Sequence, residues 1–333
     1  MEGAGLACAE GRDGVSFKIV LLVPDAAADL PARIAAAAPG AVVRSFRDAS
    51  EAVAEIEDAD AVYGTLPRDL FGRAKRLRWI AASLAGLGGG WFYDELVRSD
   101  VVVTNARGIY NEYLATHAMA FVLALACRFD EYLPRQLQRT WRRGRGAIDL
   151  TRSTALIVGV GGAGGELARL CAAFGMRVLG CDPRVTEKPP GMAELFTPDG
   201  LDERLGEADF VILTTPETPQ TRGMFNAARF ARMKRGSYFV SISRGVCAVT
   251  EDIVEALRSG RLAGVGLDVV DPEPLPADHP LWTLPGVLLT PHVAIAGSEA
   301  VWRERRDALL VENCRRFARG EPLLNVVDKE SWF

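Results

Sequence analysis

STALIVGVGGAGGELARLCAAFGMRVLGCD, residues 153–182, is the stretch that decides the fold prediction for this chain. An apolar run at 154–158 has the length and β-branched content of a buried strand. An amphipathic run at 166–174 has helical spacing, and a second apolar run at 176–180 leads to Asp182. The order strand, turn, helix, strand predicts one βαβ unit of a parallel sheet.

The turn of this unit carries three glycines with the spacing G-x-G-x-x-G. Gly159 permits a tight turn out of the strand, Gly161 lacks a Cβ where a pyrophosphate would approach, and Gly164 allows close helix packing. The N-terminus of the helix offers N–H groups and partial positive charge to phosphates. Asp182, 18 residues after Gly164, can accept hydrogen bonds from ribose hydroxyls. These features predict a dinucleotide-binding site; the alternative is a sheet turn that binds nothing.

Length and composition limit the class of protein. The chain has 333 residues, which predicts two domains, and its composition of 49% hydrophobic and 25% charged residues is that of a globular protein. A net charge of −4 gives no electrostatic footprint for nucleic acid. The arginine clusters at 135–145 and 303–319 are interpreted as solvated helix faces.

The six cysteines are scattered without C-x-x-C or metal-ligand spacing. This pattern predicts reduced thiols, no metal site and a cytoplasmic location. The first residues lack the features of a signal peptide, and 1–16 are predicted to be a disordered leader. The apolar helix candidate at 114–127 is too short to span a bilayer, so no membrane contact is expected.

From Phe17 onward, short apolar runs alternate with amphipathic ones. This alternation predicts an α/β fold: a Rossmann-type doubly wound parallel sheet domain inserted into a smaller flavodoxin-like α/β domain. The inserted dinucleotide-binding domain is expected at 110–293. The smaller, substrate-binding domain is expected at 17–109 and 294–333. The glycine-rich loop at 83–90 follows a strand of the smaller domain, where it either binds an anion or is a flexible turn.

Three charged residues follow predicted strands, namely Arg244, Glu273 and His292. An arginine suits the carboxylate and carbonyl of a 2-keto acid, and a histidine can deliver a proton to the carbonyl oxygen. A carboxylate beside a histidine favours the imidazolium and fixes its tautomer. Singly, each has a structural alternative: a surface ion pair for the arginine, an exposed loop acid for the glutamate and a cap for the histidine. His117 is interpreted as a core or interface group and His279 as a turn residue.

The chain resembles the D-isomer-specific 2-hydroxyacid dehydrogenase family, which includes glyoxylate/hydroxypyruvate reductases. The resemblance is densest in six segments: TNARGIYNEYLATHAMAFVLAL (104–125), LIVGVGGAGGELAR (156–169), the turn of Asp182, Pro183 and Arg184, MKRGSYFVSISRG (233–245), LAGVGLDVVDPEPLP (262–276) and HPLWTLPGVLLTPHVA (279–294). The family's catalytic arginine, acid and histidine fall on Arg244, Glu273 and His292. The resemblance implies interconversion of a 2-keto acid and a D-2-hydroxy acid, with His292 as general acid/base and glyoxylate- or hydroxypyruvate-like substrates.

The resemblance also assigns binding residues. The substrate carboxylate would bind Leu84, Ala85 and Gly86, together with Arg244. The implied cofactor contacts are Gly159, Gly161, Gly162, Ala163, Gly164, Asp182, Pro183, Arg184, Thr214, Thr215, Pro216, Thr221, Ser243, Asp268 and His292. Asp182 would repel a 2′-phosphate and favour NAD over NADP, an effect that Arg184 partly offsets.

Departures and alternatives remain open. Thr116 stands where the family often has glutamate, Ser241 where it has asparagine, and Glu217 where it has a neutral residue. The segment AIAGSEA (294–300) replaces a more glycine- and serine-rich one. The main alternative function is a non-catalytic NADH-binding regulator of the C-terminal-binding corepressor type, and a lesser one is formate or phosphite oxidation. The family also implies a homodimer formed through the nucleotide-binding domain.

Overall fold

The computed structural model describes residues 16–297 and 299–333. The chain divides into two compact units: the first ends at Ile109 and resumes at Gly297, and the second runs from Tyr110 to Ala296. The second unit is therefore an insertion in the first. The expected leader lies outside the described residues except for Ser16. The division falls after Ala296 rather than at 294, because the backbone of 293–294 is hydrogen-bonded to Asp268 of the second unit.

The first unit is a parallel five-stranded sheet with helices around it. Its strands are β1 (Phe17–Leu22), β2 (Ala41–Ser45), β3 (Ala61–Gly64), β4 (Trp79–Ala81) and β5 (Val102–Thr104). Its helices are α1 (Leu30–Ala37), α2 (Val53–Ile56), α3 (Arg68–Phe71), α4 (Asp94–Val97) and α11 (Glu299–Arg319). The strand order β2-β1-β3-β4-β5 is the flavodoxin-like order, as predicted.

Residues 299–333 complete this first unit. Helix α11 buries Leu310, Cys314 and Ala318 in the same hydrophobic cluster as β1 and β3. Further along the chain, Val326 forms an antiparallel bridge with Thr104, at the exposed side of β5. The first unit is thus built from two segments that the whole insertion separates in sequence.

The second unit is a parallel seven-stranded sheet. Its strands are β6 (Thr154–Val158), β7 (Arg177–Cys181), β8 (Glu194–Phe196), β9 (Phe210–Leu213), β10 (Ser237–Ser241), β11 (Leu262–Leu267) and β12 (Val287–Leu289). Its helices are α5 (Asn111–Ala126), α6 (Phe129–Leu137), α7 (Gly162–Ala173), α8 (Leu201–Arg204), α9 (Ala227–Arg232) and α10 (Thr250–Arg258). The order β12-β11-β10-β9-β6-β7-β8 reverses direction beside β6, which confirms the Rossmann-type prediction.

Helix α5 is buried within its own unit. Its apolar residues join a cluster with α7, β6 and β10 that includes Met119, Val122 and Leu125. Helix α5 packs closely on β11 because two positions of that strand are glycines. A Cβ at Gly266 would lie 2.5 Å from Phe121 Cγ, and a Cβ at Gly264 would lie 3.1 Å from a Leu125 methyl. Across the described ranges, no helix combines the length and apolar character needed to cross a bilayer.

Two details of the second unit depart from what the local sequence indicates. The stretch between Asp182 and Gly200 is rich in proline, yet it contains β8, a short edge strand whose three residues are only half-buried. Threonine is a favoured N-cap residue, but the N-cap of α10 is Val249 and Thr250 is the first residue of the helix. The Thr250 hydroxyl instead donates to the Asp271 carbonyl at 2.7 Å and accepts from the Asp271 N–H at 3.2 Å. This partner lies 21 residues away.

Candidate functional site

The glycine turn between β6 and α7 uses each glycine differently. Gly159 has a φ of 96°, which favours glycine, and a Cβ there would lie 2.9 Å from Thr215 N. At Gly164 a Cβ would lie 2.0 Å from the Gly159 carbonyl oxygen, so helix and strand touch through backbone. At Gly161 a Cβ would meet none of the described atoms within 4 Å. Gly159 and Gly164 therefore pack against backbone, whereas the space beside Gly161 is large enough for a pyrophosphate to approach the turn.

Helix α7 begins directly in this turn. Its N-cap is Gly161, and its first residues are Gly162 and Ala163. Within the described chain no side chain caps this end, so the first N–H groups and the helix dipole are available to an anion. Gly162 also has a packing role, because a Cβ there would lie 2.2 Å from Asn111 Nδ2 of α5.

Asp182 follows β7 and is fixed next to the glycine turn. Its Oδ2 accepts from Val160 N at 2.8 Å, and its Oδ1 accepts from Arg184 N at 2.9 Å and Val185 N at 3.0 Å. Pro183 lies inside the small turn that these bonds close. An ionised carboxylate has about four acceptor positions, so Asp182 keeps capacity for a ribose hydroxyl while its negative charge stays in place.

The residues after β9 and β10 form one hydroxyl-rich loop cluster. The Thr214 hydroxyl donates to the carbonyl of the first glycine in the turn. The Ser243 hydroxyl donates to Thr215 O at 2.6 Å, and Thr221 Oγ1 donates to Pro216 O at 2.8 Å. The structure thus brings these five predicted cofactor residues together. The hydroxyls of Thr214, Thr221 and Ser243 hold the loop by bonding to its backbone.

Glu217 directly follows Pro216 in the loop that is expected to lie near the phosphates of the cofactor, where a negative charge would be unfavourable. Its side chain is only 12% exposed and forms an ion pair with Arg222. The charge of this departure from the family pattern is therefore balanced from within the same loop.

The three candidate catalytic residues follow three adjacent strands. Arg244 comes after β10, Glu273 after β11 and His292 after β12, and β10, β11 and β12 are neighbours in one parallel sheet. Because parallel strands end at the same edge, all three residues lie on the carboxyl-end side of the sheet, where open α/β folds bind ligands.

Glu273 and His292 are in direct contact. Glu273 Oε2 lies 2.9 Å from His292 Nδ1, and Glu273 Oε1 accepts from Val270 N at 3.1 Å. Both side chains are partly exposed, at 37% and 48%. The backbone of Val270 therefore orients the carboxylate, and the carboxylate orients the imidazole with its Nε2 directed away from Glu273.

Arg244 is connected to this pair through backbone packing. A Cβ at Gly245 would lie 1.8 Å from the Val270 carbonyl oxygen, so the chain after Arg244 lies directly against the residue that orients Glu273. The Arg244 guanidinium donates to Ser243 O at 2.8 Å. The three strand ends thus form one contiguous group.

His292 lies in a turn that Asp268 holds. His292 has a φ of 54°, and its N–H donates to the Asp268 carbonyl at 2.8 Å. The Asp268 carboxylate accepts from Thr290 Oγ1 at 2.7 Å, Val293 N at 2.8 Å and Ala294 N at 3.1 Å. Burial raises the pKa of Asp268, but hydrogen bonds led by those from His117 and Thr290 outweigh it and leave the pKa below its ordinary value of 3.8. Asp268, predicted as a cofactor contact, therefore also shapes the turn that carries His292.

The predicted substrate loop of the first unit follows β4. Leu84 is half-exposed, and its carbonyl accepts from Ala106 N at 2.9 Å. Asn105 Nδ2 donates to the Ala85 carbonyl at 2.7 Å, while Asn105 Oδ1 accepts from Arg107 N at 3.3 Å. Asn105 thus supports the segment of Leu84, Ala85 and Gly86, a role that was not predicted. The available signal was its position directly after β5, which pairs with β4.

The other two histidines make local contacts. His279 Nδ1 accepts from Leu281 N at 3.3 Å, as a turn residue does. His117 Nε2 lies 2.9 Å from Thr290 Oγ1 and 3.4 Å from Asp268 Oδ1. His117 was interpreted as a satisfied core or interface group; it has partners, but they belong to the turn that carries His292.

Fold and site together define a dinucleotide-binding α/β protein with an Arg–Glu–His group at the carboxyl ends of its second sheet. The family model described as D-isomer specific 2-hydroxyacid dehydrogenase, NAD binding domain, matches residues 119–294. The glyoxylate reductase of Korarchaeum cryptofilum is 33% identical over 298 residues, 84% of this chain and 85% of that protein. The hydroxypyruvate reductase of Blautia hydrogenotrophica is 30% identical over 303 residues, 86% of this chain and 90% of that protein.

A solved structure of a D-isomer specific 2-hydroxyacid dehydrogenase from Xanthobacter autotrophicus Py2, in complex with NADPH and MES, superposes with a TM-score of 0.81 at 30% identity. The match covers 96% of this chain and all of that one. The chain belongs to the D-isomer specific 2-hydroxyacid dehydrogenase family, a family of oxidoreductases.

Proposed function

We propose that this protein interconverts a small 2-keto acid and the corresponding D-2-hydroxy acid, with glyoxylate- or hydroxypyruvate-like substrates. The observation that carries the proposal is the hydrogen-bonded Glu273–His292 pair, joined to Arg244 by the packing of Gly245 on Val270. The two curated relatives described above, named as glyoxylate and hydroxypyruvate reductases, support this substrate class.

Each residue has a defined task in the proposed reaction. A nicotinamide dinucleotide, when bound, supplies or accepts the hydride. Arg244 polarises the substrate carbonyl, and backbone N–H groups of Leu84, Ala85 and Gly86 bind the substrate carboxylate. His292 delivers a proton from Nε2 to the carbonyl oxygen, because Nδ1 is occupied by Glu273. Glu273 stabilises the imidazolium and keeps the ring oriented.

The test is a panel of 2-keto acids, each assayed with NADH and NADPH. The proposal expects turnover with glyoxylate, hydroxypyruvate or a related acid, and D-configured products. Tight NADH binding without turnover on any member of the panel would favour the regulatory alternative and reject the enzyme.

For the cofactor we propose NAD rather than NADP. Asp182 supports this choice, because three backbone N–H groups fix its carboxylate beside the glycine turn, where it opposes a 2′-phosphate. The NADPH complex of the Xanthobacter relative makes NADP the alternative. The dissociation constant should be lower for NADH than for NADPH, and Asp182→Ser should reduce the ratio of these two constants. Equal affinities in the unaltered protein would contradict the preference.

We also propose a homodimer. Helix α6 and the segment after it expose Phe129, Leu133, Leu137 and Trp141, the last two almost fully. The first three recur every four residues and so share one face of α6, and an exposed apolar face typically marks an interface. Light scattering should give twice the 36.0 kDa mass of one chain. Leu137→Ser should weaken the dimer, whereas Val42→Ser, at an exposed position of the first unit, should leave it intact.

A cytoplasmic location is also part of the proposal. It is supported by the five cysteines of the described residues, all of which are free thiols, as in proteins of a reducing compartment. Burial also raises the pKa of Cys171 and of Cys181 to about 12. Such thiols remain protonated at neutral pH and form disulfides poorly.

A further inference from the structure

His117, Thr290 and Asp268 form a triangle of hydrogen-bonding side chains in the second unit. His117 Nε2 lies 2.9 Å from Thr290 Oγ1 and 3.4 Å from Asp268 Oδ1. Thr290 Oγ1 lies 2.7 Å from the same Asp268 oxygen. The Asp268 side chain is 2% exposed and that of His117 is 21% exposed, so these contacts are largely shielded from water.

The hydrogen atoms of the triangle can be assigned by counting donors. An ionised carboxylate only accepts, so the single hydroxyl hydrogen of Thr290 goes to Asp268. The oxygen of Thr290 must then accept from His117, which requires a hydrogen on Nε2. His117 therefore carries its proton on Nε2, whether the ring is neutral or charged.

The helix fixes the ring that makes these bonds. His117 lies near the middle of α5, and Phe121, one turn later, meets the imidazole edge-on at a centroid distance of 5.0 Å and an angle of 88°. Phe121 is in turn packed on Gly266 of β11. The imidazole is thus anchored by elements separate from the turn that it contacts.

The other two members of the triangle shape that turn. The Asp268 carboxylate accepts from Val293 N and Ala294 N, and the Asp268 carbonyl accepts from His292 N. His292 needs this support because a φ of 54° is unfavourable for a residue with a Cβ. Without the N–H of His117, the Thr290 oxygen would lose the hydrogen bond that it accepts, and the Asp268 carboxylate would lose one of its donors.

We propose that His117 is a positioning residue: its Nε2–H orients Thr290 and Asp268 and thereby holds the left-handed turn that presents His292. Its kinetic consequence rests on the proposed function, because it assumes that His292 transfers a proton. The tautomer does not depend on that function and can be measured without turnover.

The first test is the tautomer in the full-length protein. The sequence contains three histidines, so ¹⁵N-labelled protein gives a small set of ring signals, which His117→Gln and His279→Gln assign. The expected spectrum has a hydrogen on Nε2 of His117. A neutral His117 with its hydrogen on Nδ1 would overturn the proposal, whatever the activity.

The second test compares two substitutions at one position. Leucine removes the donor, whereas the glutamine amide can replace it near the position of Nε2. His117→Leu should lower kcat about tenfold to a hundredfold, the scale of a misplaced catalytic group, with little change in KM. His117→Gln should keep most of the kcat that His117→Leu loses. His279→Gln, the matched control, should leave both kcat and KM unchanged.

The outcomes separate this proposal from the proposed function. An unaltered protein without keto-acid turnover would reject the function and leave the tautomer as the deciding result. An active protein whose kcat is unchanged in His117→Leu, or whose loss is equal in His117→Leu and His117→Gln, would reject the positioning role.

Discussion

His292 combines an uncommon backbone conformation with a side chain whose Nδ1 is fixed by Glu273. We expect His292→Ala to lower kcat by roughly a hundredfold or more, because a general acid typically contributes that much. NADH affinity should fall much less than kcat, since His292 is one of many implied cofactor contacts and the glycine turn and Asp182 are unaffected. Steady-state rates and fluorescence titration with NADH check both statements, and full turnover in the variant would remove His292 from the mechanism.

The position after Arg244 tolerates no side chain. In Gly245→Ala the new Cβ would lie 1.8 Å from the Val270 carbonyl oxygen, so the backbone that orients Glu273 must move. We expect kcat/KM to fall about a hundredfold, as for a displacement of about 1 Å at a catalytic group. Gly146→Ala is the control, because a Cβ there meets none of the described atoms within 4 Å. Equal kinetics in the two variants would show that this contact does not matter.

Residues whose roles follow from local rules were predictable, and residues whose roles follow from distant partners were not. The spacing of Gly159, Gly161 and Gly164 defines a turn by itself, and the structure gives each the expected surroundings. Asn105 and Thr290 act through hydrogen bonds to Ala85 and Asp268, 20 and 22 residues away. Only folding brings such pairs together, so the spacing of neighbouring residues does not reveal these hydrogen bonds, although the position of Asn105 directly after β5 placed it near the loop.

At the scale of elements, the strand–helix–strand unit at 153–182 was predicted from its periodicity, whereas strand β8 and helices α3 and α4 were not predicted. The doubly wound class of the second sheet follows from alternating strands and helices, because right-handed crossovers leave few arrangements. Strand β8 and helices α3 and α4 have three or four residues each, too few to establish a period. Their existence depends on the neighbours that cover them.

The packing of α5 on β11 gives a prediction at this scale. In Gly266→Ala the Cβ would lie 2.5 Å from Phe121 Cγ, and overpacking of this kind costs about 1–3 kcal/mol. We expect a lower midpoint of thermal unfolding, whereas Gly90→Ala, whose Cβ would meet none of the described atoms within 4 Å, should leave the midpoint unchanged. A midpoint unchanged by Gly266→Ala alone would mean that the helix shifts without cost.

At the scale of the whole molecule, the stability of the protein should depend on pH through Asp268. Its pKa in the folded protein is below the ordinary 3.8, so its ionised form stabilises the fold above about pH 4. That contribution is lost as the pH falls through the lower, folded-state value.

The measurement is thermal unfolding of the unaltered protein and of Asp268→Asn between pH 7 and pH 3. Asparagine does not titrate, so the difference in midpoint should be largest near neutrality and should shrink as the medium becomes acidic. A difference that stays constant over this range would show that the carboxylate charge contributes nothing.

The first unit takes its strands from residues before the insertion and its longest helix from residues after it. During translation, the ribosome therefore emits all seven strands of the inserted sheet before α11 and the Val326 bridge partner of Thr104 exist. The apolar faces of the nascent β1–β5 segment stay incompletely covered until about two hundred further residues have been synthesised. At elongation rates of about 5–20 residues per second this takes about 10–40 s. The seven-stranded sheet of the second unit can therefore fold before the first unit is fully synthesised. Chaperones in a cell should bind mainly to the incomplete β1–β5 segment.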